Sequence, residues 1–218
     1  MANEILLDNF TDTNGVSLHL HTPDIAPSGG WTEAAGDFDI QGNAANFVSG
    51  ATDPSLAVID TGTTADKYIE YAATMGNTTG VDNSALVIRY QDSNNYLALI
   101  QPEGGAIQLW ENVGGVLTLL VTGGTPGVSA GEAFIIRTLL IGNIIIAGVR
   151  GATAGDVGSF TFETTRFNTA TSIGIRCRQS GTVTSNNLID RISVWPLPTN
   201  VSGGITRARL PAGLSALG

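Results

Sequence analysis

The chain has a single cysteine, Cys177, in 218 residues. An intramolecular disulfide is therefore excluded, and nothing points to an oxidising compartment. Between Arg176 and Arg178 in a strand, with no neighbouring histidine as base, Cys177 is expected to be a buried structural thiol. Cations are also scarce. Lys and Arg number 10 against 19 Asp and Glu, for a net charge of −9. Sequence-independent binding to nucleic acid depends on neutralising phosphates, so no nucleic-acid partner is expected. Anionic membrane surfaces are disfavoured for the same reason. The most apolar run, Phe134 to Val149, carries Arg137 and is broken by Gly142-Asn143, so no membrane span is expected. The start, MANEILLDNF, lacks a positive region and a long apolar stretch, which predicts synthesis in a cytoplasm without a signal peptide. No segment shows a capped apolar stripe at i, i+3, i+4 and i+7, so helix content should be very low. Motifs of chemistry are missing too: the chain has no Gly-x-Ser-x-Gly elbow and no phosphate-cradling Gly-x-x-x-x-Gly-Lys loop.

What the chain does contain is a meander. Residues 84–122 read as four strands, near Leu86–Tyr90, Tyr96–Gln101, Ala106–Glu111 and Val116–Val121, separated by polar or glycine-rich turns. Further strands are predicted at Ile5–Phe10, Phe38–Gln41, Ala44–Val48, Leu56–Asp60, Lys67–Met75, Ala133–Ile141, Ile144–Val149, Ser159–Glu163, Ser172–Arg178 and Leu188–Trp195. Gly42-Asn43 and Gly142-Asn143 are two-residue hairpin turns by composition. The pattern predicts one all-β antiparallel double-sheet sandwich over residues 1–197. Strands 133–149 are apolar almost throughout, whereas one face of an antiparallel sandwich is normally wetter. A partner covering that face is one explanation. Pro196 and Pro198 end the pattern. Residues 198–218 read as an extended C-terminal arm whose Arg207, Arg209 and Leu210 suit docking onto an acidic neighbour.

Carbohydrate recognition needs aromatic faces beside polar side chains. Trp110 alternates with Leu109, so it faces outward if Leu109 faces the core. Tyr96, with Tyr90, flanks the turn that carries Asn94 and Asn95. Arg89, Tyr96, Asn94, Asn95 and Trp110 are therefore the candidate glycan-binding residues, and sheet geometry decides between core and surface for Arg89, Tyr96 and Trp110. Trp31 and Trp195 are assigned to core or interface. His19 and His21 are the only histidines. On an extended chain they point the same way, but Asp24 is the only local addition to a metal set, and an exposed loop pair is the plainer reading. Asp37 and Asp39 share a face without a third carboxylate and read as a solvated strand edge.

The order LLDNF at 6–10, GGW at 29–31, Arg89-Tyr90-Gln91-Asp92 leading to Asn95-Tyr96, Ile144–Gly151, Ile173-Gly174-Ile175 and LIDRISVW at 188–195 resembles a concanavalin A-like, laminin G-like jelly roll. The resemblance covers about residues 4–197. It implies that the first and last strands lie side by side, bringing Leu6–Phe10 to Ile189–Trp195. It also implies a structural calcium near that junction, for which Asp8 and Asp190 are the matching positions. The loop of Asp82, Asp92 and Asn94 is a second place for one. No other cofactor is expected. Glycosidases of this fold carry a Glu-x-Asp-x-x-Glu set on one strand, and no Glu-x-Asp occurs here, so the chain is expected not to be an enzyme. Similar domains occur in tailed-phage structural proteins. The first functional expectation is thus a virion protein, a capsid decoration or tail-associated module, contacting other virion proteins and its own copies. The alternative is a carbohydrate-binding module or adhesin that recognises cell-surface glycans. A degenerate glycan-cleaving enzyme comes third.

Overall fold

The structure is a computed structural model that describes residues 3–27, 29–48, 54–62, 64–76, 83–124, 127–153, 155–178 and 188–197. Arg207, Arg209, Leu210 and the rest of the predicted arm lie outside the described residues, as does Asp82. In chain order the strands are β1 (Leu6–Asp8), β2 (Thr32–Ala35), β3 (Phe38–Ile40), β4 (Ala45–Phe47) and β5 (Ser55–Asp60). Next come β6 (Lys67–Thr74), β7 (Asn83–Asp92), β8 (Asn95–Ile100), β9 (Ile107–Val113) and β10 (Val116–Gly123). The last five are β11 (Ala133–Ile141), β12 (Ile144–Gly151), β13 (Gly155–Glu163), β14 (Ser172–Arg178) and β15 (Leu188–Pro196). Among the described residues the one helical element is a single 3₁₀ turn at Leu18–Leu20.

The strands form two antiparallel sheets. One runs β13-β12-β11-β6-β15-β4-β3, with β1 also paired to β15; the other runs β10-β9-β8-β7-β14-β5-β2. Leu6 pairs with Val194 and Asp8 with Ile192, so the first and last strands are neighbours as expected. Gly42 and Asn43 both take left-handed backbone angles, φ 62° and 61°. Those are the values a two-residue hairpin needs, and Gly and Asn reach them at least cost. Strand β2 was not expected. Its sequence, TEAA, lacks the β-branched and aromatic residues that mark strands, and only pairing with β5 makes it one.

The alternation that runs along each strand sorts residues between two layers. Leu86, Ile88, Leu97, Leu99, Leu109, Ile173 and Ile175 from the seven-stranded sheet meet Ile69, Tyr71, Ile136, Ile145, Ile192 and Val194 from the other in the main core. Each such side chain, fully buried, contributes about 1.5–3 kcal/mol. Cys177 and Trp31 join that core. On the outer face of the eight-stranded sheet, Tyr68 and Leu139 are buried, with Ile141, Ile146, Trp195 and Leu197 packed around them. Tyr68 and Trp195 rings lie 5.4 Å apart. The chain's own Tyr68 and Trp195 thus cover the second face around Leu139, while Ile144 at the end of β12 stays exposed.

Lys67, the only lysine in the chain, ties the loops at one end of the sandwich together. Its ammonium donates to Thr61 Oγ1 at 2.6 Å and to the Thr171 carbonyl at 2.5 Å. Burial pushes its pKa down to about 8, against the pull of Asp60 and Asp66.

Candidate functional site

Two side-chain clusters stand apart from the main core. The first lies beside β1. Asp8 is fully buried, and both its oxygens are occupied by donors. Oδ1 accepts the Phe10 backbone N–H at 2.7 Å and the His21 Nε2–H at 2.9 Å, and Oδ2 accepts the Trp31 indole N–H at 2.6 Å. The other ring nitrogen of His21, Nδ1, faces Asp12 Oδ2 at 3.1 Å. Both nitrogens meet carboxylates, so both contacts are hydrogen bonds when the ring is protonated to an imidazolium. Burial alone lowers the His21 pKa, but the hydrogen bonds from Asp8 and Asp12 and their charges outweigh it, and the net shift is upward. Phe10, held by Asp8, has φ 50° and packs its ring against Trp31 at 5.9 Å.

This arrangement corrects one expectation. His19 and His21 are not an exposed pair pointing one way. The 3₁₀ turn that carries His19 splays the rings: His21 is 5% exposed, while His19 turns to Glu33, with Nδ1 to Oε2 at 2.7 Å. Asp8, the first position expected for a structural calcium, meets three protein donors in this structure. Asp190, the matching position, sits at a bulge in β15 and accepts the Thr74 hydroxyl at 3.1 Å. Among the described residues no group of three or more His, Cys, Asp or Glu is placed to hold a metal ion.

Ser17, His19 and Glu33 also meet. Ser17 Oγ lies 2.7 Å from His19 Nδ1. A nucleophile–base–acid relay needs serine on one ring nitrogen and carboxylate on the other. Here both contacts use Nδ1, so the geometry is not that of a relay. Asp37 lies beside Glu33, and its pKa is raised by burial first and by Glu33 second. Asp37 is therefore part of this acidic group rather than a simple solvated edge. Asp39 Oδ2 accepts from Gln41 instead.

The second cluster covers the outer face of the seven-stranded sheet. Strand register lines up three rows across it. The first is Leu56, Arg176, Ala85, Ile100, Gln108 and Thr122; the second is Val58, Gly174, Val87, Ala98, Trp110 and Leu119. A third row contains Asp60, Ser172 and Tyr90 on one side, and Tyr96, Asn112 and Leu117 on the other. Leu56, Val58, Ala85, Val87, Tyr96, Ala98 and Ile100 are buried together here, and Tyr90 and Trp110 pack over them while staying partly exposed. Gly174 is required in the middle. A methyl group there would lie 2.4 Å from the Ala57 carbonyl oxygen.

The predicted glycan-binding residues fall on different sides of this geometry. Trp110 faces outward, because Leu109 is in the core; its indole N–H donates to Gln108 Oε1 at 2.8 Å. Tyr96 shares that face but is 1% exposed, lying against Tyr90 with ring centroids 6.4 Å apart. Asn94 lies in the β7–β8 turn and Asn95 opens β8. Asp92 accepts from the Asn94 backbone and from the Asn95 amide, and Asn95 Oδ1 accepts from Gly114. Arg89 is not a surface residue. It takes φ 51° at a bulge in β7 and is 1% exposed, donating to the carbonyls of Gly142, Thr164 and Arg166. Tyr90, read from the sequence as flanking the turn but not counted among the candidates, and Arg176, not singled out at all, share this face. Tyr90 was visible as the aromatic before the turn; Arg176 had the alternation of β14 as its only signal.

Two polar atoms on this outer face lack partners. Arg176 Nε and Asn112 Oδ1 are buried without a hydrogen bond. Buried polar groups are nearly always satisfied, so each exception calls for an explanation. The opposite sheet carries a cavity of about 320 Å³ beside Arg150 and Asp190, and another of about 170 Å³ beside Arg137 and Arg150. Neither is lined by Trp or Tyr.

A scan against protein-family models finds no match, and a search of curated protein sequences finds none either. Among solved structures the chain is similar to the carbohydrate-binding module CBM66 from Bacillus subtilis, with TM-score 0.59 and 12% identity over 76% of this chain and 94% of that one. It is similar to the VIP36 exoplasmic/lumenal domain in its Ca2+/Man2-bound form, with TM-score 0.61 and 11% identity over 90% and 92% of the two chains. It is also similar to Domain 4 of AbnA, a GH43 extracellular arabinanase from Geobacillus stearothermophilus, in complex with arabinotriose. There the TM-score is 0.57 and the identity 12%, over 89% and 93% of the two chains. Identities this low carry the fold and no more: the chain is a concanavalin A-like jelly roll.

Proposed function

We propose that the chain is a non-catalytic carbohydrate-binding module whose glycan site is the outer face of the seven-stranded sheet. The observation that carries this reading is the pairing of partly exposed Trp110 and Tyr90 with an otherwise apolar sheet face that leaves Arg176 Nε and Asn112 Oδ1 unpartnered. Aromatic rings offer an apolar face to a sugar ring. Gln108, Asn112 and Ser172 stand beside them to meet hydroxyl groups. The similar solved structures are described as carbohydrate-binding or sugar-bound, which supports the same reading. The virion role expected from the sequence drew on the arm at 198–218, outside the described residues, and on the apolar strands 133–149, whose outer face the chain covers around Leu139 and leaves exposed at Ile144.

The test is an oligosaccharide array followed by calorimetry on wild type, Trp110→Ala and Trp110→Phe. A stacking platform at a binding hot spot contributes about 2 kcal/mol, roughly thirty-fold in Kd. Trp110→Ala should lose that much, and Trp110→Phe should retain most of it. Binding that is indifferent to Trp110, or no glycan binder at all, refutes the reading.

A further inference from the structure

Arg176 is the most buried charged group on the proposed face, at 1% exposed. It projects from β14 between Leu56 on β5 and Ala85 on β7. Other arginines have evident work, buried or exposed. Arg137 and Arg191 both reach Glu70 at 3.3 Å, Arg166 reaches Glu111 at 3.5 Å, and Arg89 caps three carbonyls. Among the described residues Arg176 makes no side-chain hydrogen bond or ion pair, and its Nε is buried without a partner, as are Arg89 Nε and Arg191 Nε.

Arg89 and Arg191 have acceptors for their other guanidinium nitrogens, and Arg176 does not. Acidic residues outnumber basic ones by 19 to 10, so an arginine placed without constraint has many acids to meet. The first two rows of the outer face contain none. The nearest carboxylate in the register, Asp60 in the third row, is engaged by the Gly62 N–H and the Thr171 hydroxyl. Burying a guanidinium without a counter-charge is costly. A fold keeps such a group when a partner arriving from outside completes it. The guanidinium fork matches a carboxylate in a bidentate pair, and it prefers that planar partner to a neutral hydroxyl.

We propose that the face selects acidic glycans, with Arg176 binding the carboxylate of a uronic or other acid-bearing sugar. The proposal rests on the glycan-binding reading of the same face. It adds the class of ligand and the residue that recognises it.

The experiment is calorimetric titration of the whole chain with four probes: uronic-acid oligosaccharides, sialyllactose, a sulfated oligosaccharide, and neutral oligosaccharides of matched length. These are repeated with Arg176→Lys and Arg176→Met. A carboxylate-bearing probe should bind at least tenfold more tightly than its neutral match. Arg176→Met should erase that preference, and Arg176→Lys should reduce it. Arg176→Met should also melt no lower than wild type, because it removes a buried charge that no residue of the chain pairs. Equal affinity for acidic and neutral probes with Trp110-dependent binding leaves the glycan-binding reading standing and overturns the acidic selectivity. Preference only for the sulfated probe overturns the carboxylate assignment. Loss of melting temperature in Arg176→Met, with the acidic preference intact, makes Arg176 a structural residue. Absence of binding to every probe refutes both readings together.

Discussion

Replacing Asp8 by Asn tests the physical account of the cluster beside β1 without changing its shape. The two side chains are nearly isosteric, so packing is preserved and only hydrogen-bonding character changes. In the native chain Asp8 Oδ1 serves Phe10 N–H and His21, and Oδ2 serves Trp31 N–H. An asparagine oxygen can keep one side of that set. Its NH2 then faces either the Trp31 indole N–H or the His21 ring, donor against donor. A buried donor left unsatisfied costs about 1–3 kcal/mol. The imidazolium also loses one of its two carboxylates, and breaking a buried ion pair costs about 3–5 kcal/mol in all. We therefore expect Asp8→Asn to lose about 3–5 kcal/mol at pH 6, a large share of the roughly 5–15 kcal/mol that a domain possesses. The assay is urea unfolding followed by tryptophan fluorescence, which reports on Trp31 together with Trp110 and Trp195. The deficit should shrink at higher pH, where wild-type His21 is itself neutral. A loss under about 1 kcal/mol at pH 6 would refute the reasoning.

Two further outcomes follow from the same structure. Because the folded pKa of His21 is raised above its unfolded value, its ion pairs stabilise the fold fully below about pH 6.5, and that contribution is lost as pH rises through the folded pKa. The urea midpoint of wild type should fall relative to His21→Gln across that window; parallel profiles for the two proteins would contradict the bridging role. The comparison with His21→Gln also cancels Lys67, whose lowered pKa acts in the opposite sense above about pH 8. Gly174→Ala should cost about 1–3 kcal/mol, since the added methyl meets the Ala57 carbonyl at 2.4 Å and must push β14 from β5. A wild-type melting temperature for that variant would show that the two strands do not approach so closely.

The period of two along β7, β8, β9 and β14 made the architecture legible, because hydrophobic alternation is a property of the local sequence. It also placed Trp110 on the correct side: Leu109 and Trp110 are adjacent, and one face excludes the other. The same rule could not say how deep a residue lies on its face. Tyr96 and Trp110 are both on the outer face, yet one is covered and the other partly open, because Tyr90 stacks on Tyr96 from across a bulge. That bulge also defeats parity for Arg89. A left-handed residue breaks the alternation, so Arg89 turns to carbonyls at Gly142 and Thr164, contacts more than fifty residues away in sequence. His21, Asp8 and Trp31 likewise meet only in the folded chain. Their separations in the chain, 13 and 23 residues, carry no periodic signal.

The residue on which the proposed ligand class rests was the least visible for the same physical reason. An arginine in a strand reads as solvated, and its neighbours Arg178 and Cys177 gave no cause to think otherwise. What singles out Arg176 is an absence, the lack of an acceptor, and an absence becomes observable only when every neighbour is in place. If acidic glycans complete that guanidinium, then the face is tuned by what the fold leaves unpaired. Stability and recognition should then move in opposite directions at this one position: Arg176→Met melting at or above wild type while losing its ligand.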